Sequence, residues 1–141
     1  MGFVSGLSHD WFAVGNWHVG QTPAHRVPGA QDDVFLPRQD PPPPKDVDYM
    51  SIDKRGPVEI RSLTFVKRAK YADLFLAAGT SVHVGTLTMN CGGIFGLADP
   101  VKLSVSGVVS ILGNADLFNV DASKSLSGRS LGAHVCVVVL S

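Results

Sequence analysis

The chain has little charge and little cysteine. Charged residues make up 17% of its 141 residues, against roughly 25% in typical soluble domains. Lys plus Arg and Asp plus Glu number 12 each, so the formal net charge is zero. A neutral chain has no long-range field to draw nucleic acid or an anionic membrane surface, and no nucleic-acid partner is expected. The two cysteines, Cys91 and Cys136, form no CxxC pair, which argues against a structural zinc site. One disulfide and two buried thiols are both compatible with their small or apolar neighbours. No apolar run approaches the ~18 residues of a membrane-spanning helix, so no span is expected. The first residues, MGFVSGLSHDW, lack the basic start and the continuous apolar run of a secretory signal. Position 6 is Gly, where N-myristoylation wants Ser or Thr. There is no Walker pattern and no phosphate-cradling glycine loop. Ser104, Ser106 and Ser110 lie outside any G-x-S-x-G elbow. No cofactor is implied.

Turn formers are plentiful, with 15 glycines and nine prolines. Four zones follow from composition. Residues 1–37 are loop-rich with aromatics and read as a cap with a first strand. Residues 38–57 are a polar excursion holding four consecutive prolines at 41–44. Such a run favours polyproline II and reads as a stiff surface loop rather than a ligand for an SH3-type groove. Residues 58–120 are a series of short strands. Residues 121–141 are a serine-rich linker and a terminal apolar strand. The basic run Lys67–Lys70 reads as a solvated turn. VDYMSI at 47–52 suits a short strand, with Val47, Tyr49 and Ser51 on one face.

Alternation of apolar and polar residues marks the third zone as β. In SVHVGTLTM, Val82, Val84, Leu87 and Met89 point inward, and Gly85 resets the phase as a bend or bulge would. In VKLSV, Val101, Leu103 and Val105 alternate with Lys102 and Ser104. KRAKYADLFLAA at 67–78 reads as a turn plus a strand. Ala-Asp-Leu-Phe occurs at 72–75 and again at 115–118, an offset of 43 residues. Half that offset is close to one turn of a β-solenoid, roughly 20 to 30 residues. The expected fold is all-β, a short right-handed parallel β-helix with an N-terminal capping loop. Stacked coils would pool apolar faces that are too small to be stable alone. The alternative is an antiparallel β-sandwich or jelly roll, which also uses many short strands. The lack of Asn-Gly and Asp-Gly hairpin pairs in the strand zone favours the solenoid.

The first zone has a distinctive order. Trp11 and Trp17 form W-x5-W with Asn16 before the second. Gly20, Pro28 and Gly29 follow, then Asp32-Asp33 and Val34-Phe35-Leu36-Pro37. This order resembles the opening segment of secreted right-handed parallel β-helix proteins, of the haemagglutinin-like and autotransporter-passenger type. It is also similar to the start of the eukaryotic extracellular domain named for its eight glycines. The resemblance covers residues 10–37 and continues only in texture to 120. It implies an extracellular or cell-surface module, adhesive or carbohydrate-associated, with a glycan or another protein surface as partner.

The candidate chemistry is sparse. His18, His25, Asp32 and Asp33 are the one tight polar cluster, with the donor types for a divalent metal or acid–base work. Their spacing matches no recognised ligand set, and an Asx turn before the first strand accounts for an aspartate there. Trp11 and Trp17 could stack on a sugar, but their place near the terminus suits capping of an open core end. His83 reads as an outward surface residue, and Cys136 beside His134 as a core thiol. The strand zone holds only Glu59, Asp73, Asp99 and Asp116 as acids. Asp73 and Asp116 occupy matching places in the two Ala-Asp-Leu-Phe copies, which makes them the best pair for a glycan-cleaving enzyme. So few acids favour a structural or binding module over a polysaccharide lyase or hydrolase. Self-association through the terminal strand follows if an edge stays open.

Overall fold

The computed structural model describes residues 1–3, 9–38, 49–53, 57–66, 73–97, 101–111, 115–118, 120–122 and 138–140. The four prolines at 41–44, Val47, the basic run 67–70, His134 and Cys136 lie outside them.

Strands β1 (Gly2–Phe3), β2 (Trp17–Val19) and β3 (Thr22–Pro23) open the chain, with one 3-10 turn at Val14–Asn16. Next come β4 (Asp33–Leu36), β5 (Tyr49–Ile52), β6 (Val58–Phe65), β7 (Asp73–Leu76) and β8 (Ser81–Met89). The remainder are β9 (Gly93–Gly96), β10 (Val101–Val105), β11 (Val109–Ile111), β12 (Asp116–Phe118), β13 (Val120–Ala122) and β14 (Val138–Leu140). No helix among the described residues is long and apolar enough to cross a membrane.

The strands form two sheets. The larger runs β14-β13-β10-β8-β6-β4-β1-β2-β3, with β11 also on β8, and the smaller runs β12-β9-β7-β5. Between β4 and β12 the chain visits the two sheets in turn, so strands adjacent in a sheet are separated by a visit to the other. Among the described residues all pairings among β4 to β14 are parallel, and antiparallel pairs occur only at β1–β2 and β2–β3. Parallel neighbours cannot be joined by a two-residue hairpin, which is why hairpin dipeptides are missing. The antiparallel sandwich or jelly roll is therefore overturned.

The core is built as rows of apolar side chains that run across the strands. Val34, Leu63, Leu87 and Val109 are register partners in the larger sheet. Leu36, Phe65, Met89 and Ile111 form the next such row. Met50, Leu74, Ile94 and Leu117 do the same in the smaller sheet. Each of these twelve side chains is at most 1% exposed. Burial at that level is worth about 1.5–3 kcal/mol per large aliphatic side chain. The last row also explains the sequence echo. Leu74 pairs with Ile94 and Ile94 with Leu117, so the two Ala-Asp-Leu-Phe copies stand two ladder steps apart.

The phase reset expected at Gly85 is present, and it is shared. β8 buries Val82 and Val84, then Leu87 and Met89; β6 buries Val58 and Ile60, then Leu63 and Phe65. β8 likewise divides its pairing, Ser81–Val84 on β10 and Leu87–Met89 on β11. At this bend the backbones nearly touch. A Cβ on Gly85 would lie 2.4 Å from the Arg61 carbonyl oxygen, and one on Gly107 would lie 2.4 Å from the Gly85 carbonyl oxygen. Only glycine tolerates such an approach.

The opening segment packs against one end of this array. Trp11 and Trp17 are buried in the same core, their rings edge to face at 4.8 Å. The Trp17 indole N–H donates to the Trp11 carbonyl at 2.7 Å. The Trp11 amide donates to the Ser51 carbonyl at 2.9 Å, and the Ser51 amide to the His9 carbonyl at 2.7 Å. Residues 9–11 thus satisfy backbone groups along β5, an edge of the smaller sheet.

Candidate functional site

The residues singled out in the sequence fall into three places. Trp11 and Trp17 are 1% and 0% exposed and present no ring face to solvent. The His18–Asp33 group does not converge. Among the described residues no three of His, Cys, Asp or Glu gather as a metal cluster. Asp32 closes a turn: its Oδ2 accepts the Gly29 amide at 2.7 Å, and its Oδ1 accepts Arg26 at 3.1 Å. Asp33 accepts Arg61 Nε at 2.9 Å and the Ser62 hydroxyl at 2.7 Å, which clamps β4 to β6. Half-buried His18 lies with its Nδ1 3.2 Å from Arg38 Nη1, while His25 is exposed.

These partners set the ionisation of the two acids. The Arg61 guanidinium and then the Ser62 hydroxyl hold the Asp33 carboxyl down at about 2. Arg26 lowers Asp32 as well, against the opposing effect of partial burial. Both stay charged at neutral pH and are occupied by the turn and the clamp.

Asp73 and Asp116 occupy one lateral line of the smaller sheet. Tyr49 pairs with Asp73, and Gly93 pairs with Asp116. The β7–β9 register, in which Leu74 meets Ile94, sets Asp73 against Gly93. The two aspartates therefore stand on alternate strands with a glycine between them. At the step of a sheet their backbones are roughly 9.5 Å apart.

The same strands carry a feature that sequence reasoning missed. On β5, β7 and β9 the outward positions next to the buried row hold Tyr49, Phe75 and Phe95. The Phe75 and Phe95 rings stack with centroids 5.3 Å apart and 24° between planes. Tyr49 meets Phe75 edge to face at 5.5 Å, and His9 stacks on Tyr49 at 3.9 Å. Tyr49 is 39% exposed, and Phe75 and Phe95 are half-buried. The available signal was that DLFL and GIFG each carry an aromatic at an outward position, as DVFL does in the larger sheet.

The larger sheet presents a different outer face. Glu59 pairs with His83, and His83 pairs with Ser104, on three adjacent strands. Glu59 and His83 are exposed and Ser104 is half-buried. They line a shallow groove of about 580 Å³ whose further walls include Arg61, Ser106 and Gln31. An adjoining depression of about 430 Å³ shares Glu59 and is walled by Phe12, Val27, Pro28 and Pro57. His83 is thus on the surface, as the alternation in SVHVG requires, but it is not isolated.

Comparison with family models, with curated proteins and with solved structures finds no match for this chain. The surface chemistry must therefore be read from the residues themselves.

Proposed function

We propose that the chain is a short right-handed parallel β-helix serving as an extracellular or cell-surface binding module for carbohydrate chains. Two sheets visited in turn, parallel ladders and shared rows of apolar side chains support the β-helix reading. The opening segment from Trp11 to Leu36, with its resemblance to secreted β-helix proteins, supports the localisation and an adhesive role. The observation that carries the carbohydrate reading is the outward aromatic row of Tyr49, Phe75 and Phe95 on the smaller sheet. Aromatic surface in contact with solvent offers apolar area to sugar C–H groups. The Tyr49 and Ser51 hydroxyls and the Asp73 carboxylate on the same strands offer hydrogen bonds to sugar hydroxyls. Phe75 and Phe95 are register partners and Tyr49 stands one outward place aside on β5, so the aromatics cross three strands on a diagonal. The test is retardation of the purified chain in gels cast with soluble polysaccharides. The native chain is slowed by at least one of a broad panel, and Phe75→Ala with Phe95→Ala abolishes the effect. No retardation across the panel defeats the carbohydrate reading.

A second reading uses the same face. The alignment of Asp73 and Asp116 across Gly93 favours a glycan-cleaving enzyme with paired acids. Release of reducing ends from any retained polysaccharide, lost in Asp73→Asn, would establish it. Retention without cleavage leaves the binding module.

A further inference from the structure

We propose that Glu59, His83 and Ser104 form an acyl-transfer site on the outer face of the larger sheet, one that hydrolyses small, accessible esters. This rests on the groove alone and is independent of the aromatic face. A Ser–His–acid site needs an imidazole flanked by a carboxylate on one side and a hydroxyl on the other. Here the three residue types stand in that order on adjacent strands, His83 in the middle, paired with Glu59 on β6 and Ser104 on β10. One sheet step separates neighbours, roughly 4.8 Å between backbones. At that spacing outward side chains of this length reach one another through rotamer changes, which exposed groups make on the picosecond-to-nanosecond scale. Gly85 is one outward place further along β8, so β8 itself puts no side chain on that side of His83. Arg61 lines the same groove, with its guanidinium paired to the Asp33 carboxylate on β4. The groove is open and shallow, which suits a small acyl group carried on the surface of a larger molecule rather than an enclosed substrate.

The chemistry balances without a cofactor. Ser104 Oγ attacks the ester carbonyl carbon and its proton passes to the His83 imidazole, while Glu59 orients that ring and offsets its charge. The tetrahedral intermediate collapses, the ester C–O bond breaks, and the leaving alkoxide takes the proton from His83. Water then attacks the Ser104 acyl ester with His83 again accepting the proton. Acid and free serine are released, so the sum is ester plus water to alcohol plus carboxylic acid.

The experiment is active-site labelling with a fluorophosphonate, located by peptide mass spectrometry, alongside 4-nitrophenyl acetate hydrolysis. The expected label is on Ser104, with one probe per chain. His83→Ala and the closer-shaped His83→Gln each slow labelling and hydrolysis by about 100-fold or more. Glu59 is a positioning residue, so Glu59→Gln slows both and Glu59→Asp restores part of the rate. Ser110→Ala, on β11 away from the groove, labels as the native chain does. All the substituted side chains are solvent-accessible or partly so, and circular dichroism checks that the strands persist in each variant. An unlabelled native chain overturns the proposal. So does a label on another serine, or a Ser104 label that forms at the native rate in both folded His83 variants.

Discussion

The two outer faces of this molecule are built on the same ladder and say opposite things. The smaller sheet turns Tyr49, Phe75 and Phe95 outward, with Phe75 stacked on Phe95 and Tyr49 edge to face on Phe75. The larger sheet turns Glu59, His83 and Ser104 outward in one row and forms a polar groove. Beneath both, the buried rows are alike: Met50, Leu74, Ile94 and Leu117 on one side, Val34, Leu63, Leu87 and Val109 on the other. The contrast separates what holds the fold from what gives a face its chemistry. The inward rows must be apolar on every strand, whereas the outward rows need only be compatible with a neighbour one step away.

The largest effects should therefore be the same on both faces, because they act on the shared core. Leu74→Ala and Leu87→Ala, each fully buried, should cost about 2–5 kcal/mol apiece in urea denaturation. A large cost at one and a small cost at the other would mean that only one sheet carries the core. The next effect should break the symmetry. Gly85→Ala places a Cβ against the Arg61 carbonyl oxygen, and that oxygen belongs to backbone that cannot swing away. We expect a loss of about 1–3 kcal/mol from the enforced shift, confined to the larger sheet. Amide exchange should quicken at β6 and β8 and remain slow at β7 and β9.

A smaller effect should appear on the aromatic face alone. A double-mutant cycle on Phe75→Ala and Phe95→Ala should return a coupling of about 0.5–1.5 kcal/mol from the stacked rings. A coupling near zero would mean that the rings are aligned without interacting.

The smallest effect belongs to the clamp between β4 and β6. Asp33 sits at about 2, below its ordinary 3.8, because of Arg61 and Ser62. A depressed carboxyl stabilises the folded chain above its unfolded value and loses that contribution as the pH falls through the folded one. The window is therefore about pH 4 down to pH 2. Asp33 and Arg61 keep 42% and 59% of their side-chain surface exposed, so screening limits the contribution to about 0.2–1 kcal/mol. Arg61→Ala should flatten the acid limb of a stability–pH curve without abolishing it, since Arg26 lowers Asp32 in the same range. An unchanged acid limb would remove the clamp from the account.

How much of this was legible in the sequence follows from how rows are made. Alternation along a strand is local, so the inward places of Val82, Val84, Leu87 and Met89 could be read directly, and so could the phase slip at Gly85. The Ala-Asp-Leu-Phe echo also revealed one long-range fact, the alignment of Asp73 with Asp116, because the repeated motif carried its own register. Glu59, His83 and Ser104 are more than 20 residues apart pairwise and share no motif, so only the register brings them together. The aromatic row was hidden for another reason. Phe75 and Phe95 are apolar residues at outward positions, and a reader of alternation attends to the inward ones. The place of Trp11 and Trp17 near the terminus favours capping over sugar binding, and both rings are buried, with the Trp17 indole N–H hydrogen-bonded to the Trp11 carbonyl. His18 and His25 looked like a site because they are close in sequence. Asp32 and Asp33 instead went to Arg26 and Arg61, the second of which comes from a strand that local reading could not place beside them.

The most direct test is a face-by-face comparison of polysaccharide retardation. Phe75→Ala with Phe95→Ala on the smaller sheet is set against Glu59→Ala with His83→Ala on the larger, each checked for retained strand content. The account predicts that the first pair abolishes retardation and the second leaves it in place. Retardation that survives loss of the two phenylalanines, or that disappears only with Glu59 and His83, would contradict it.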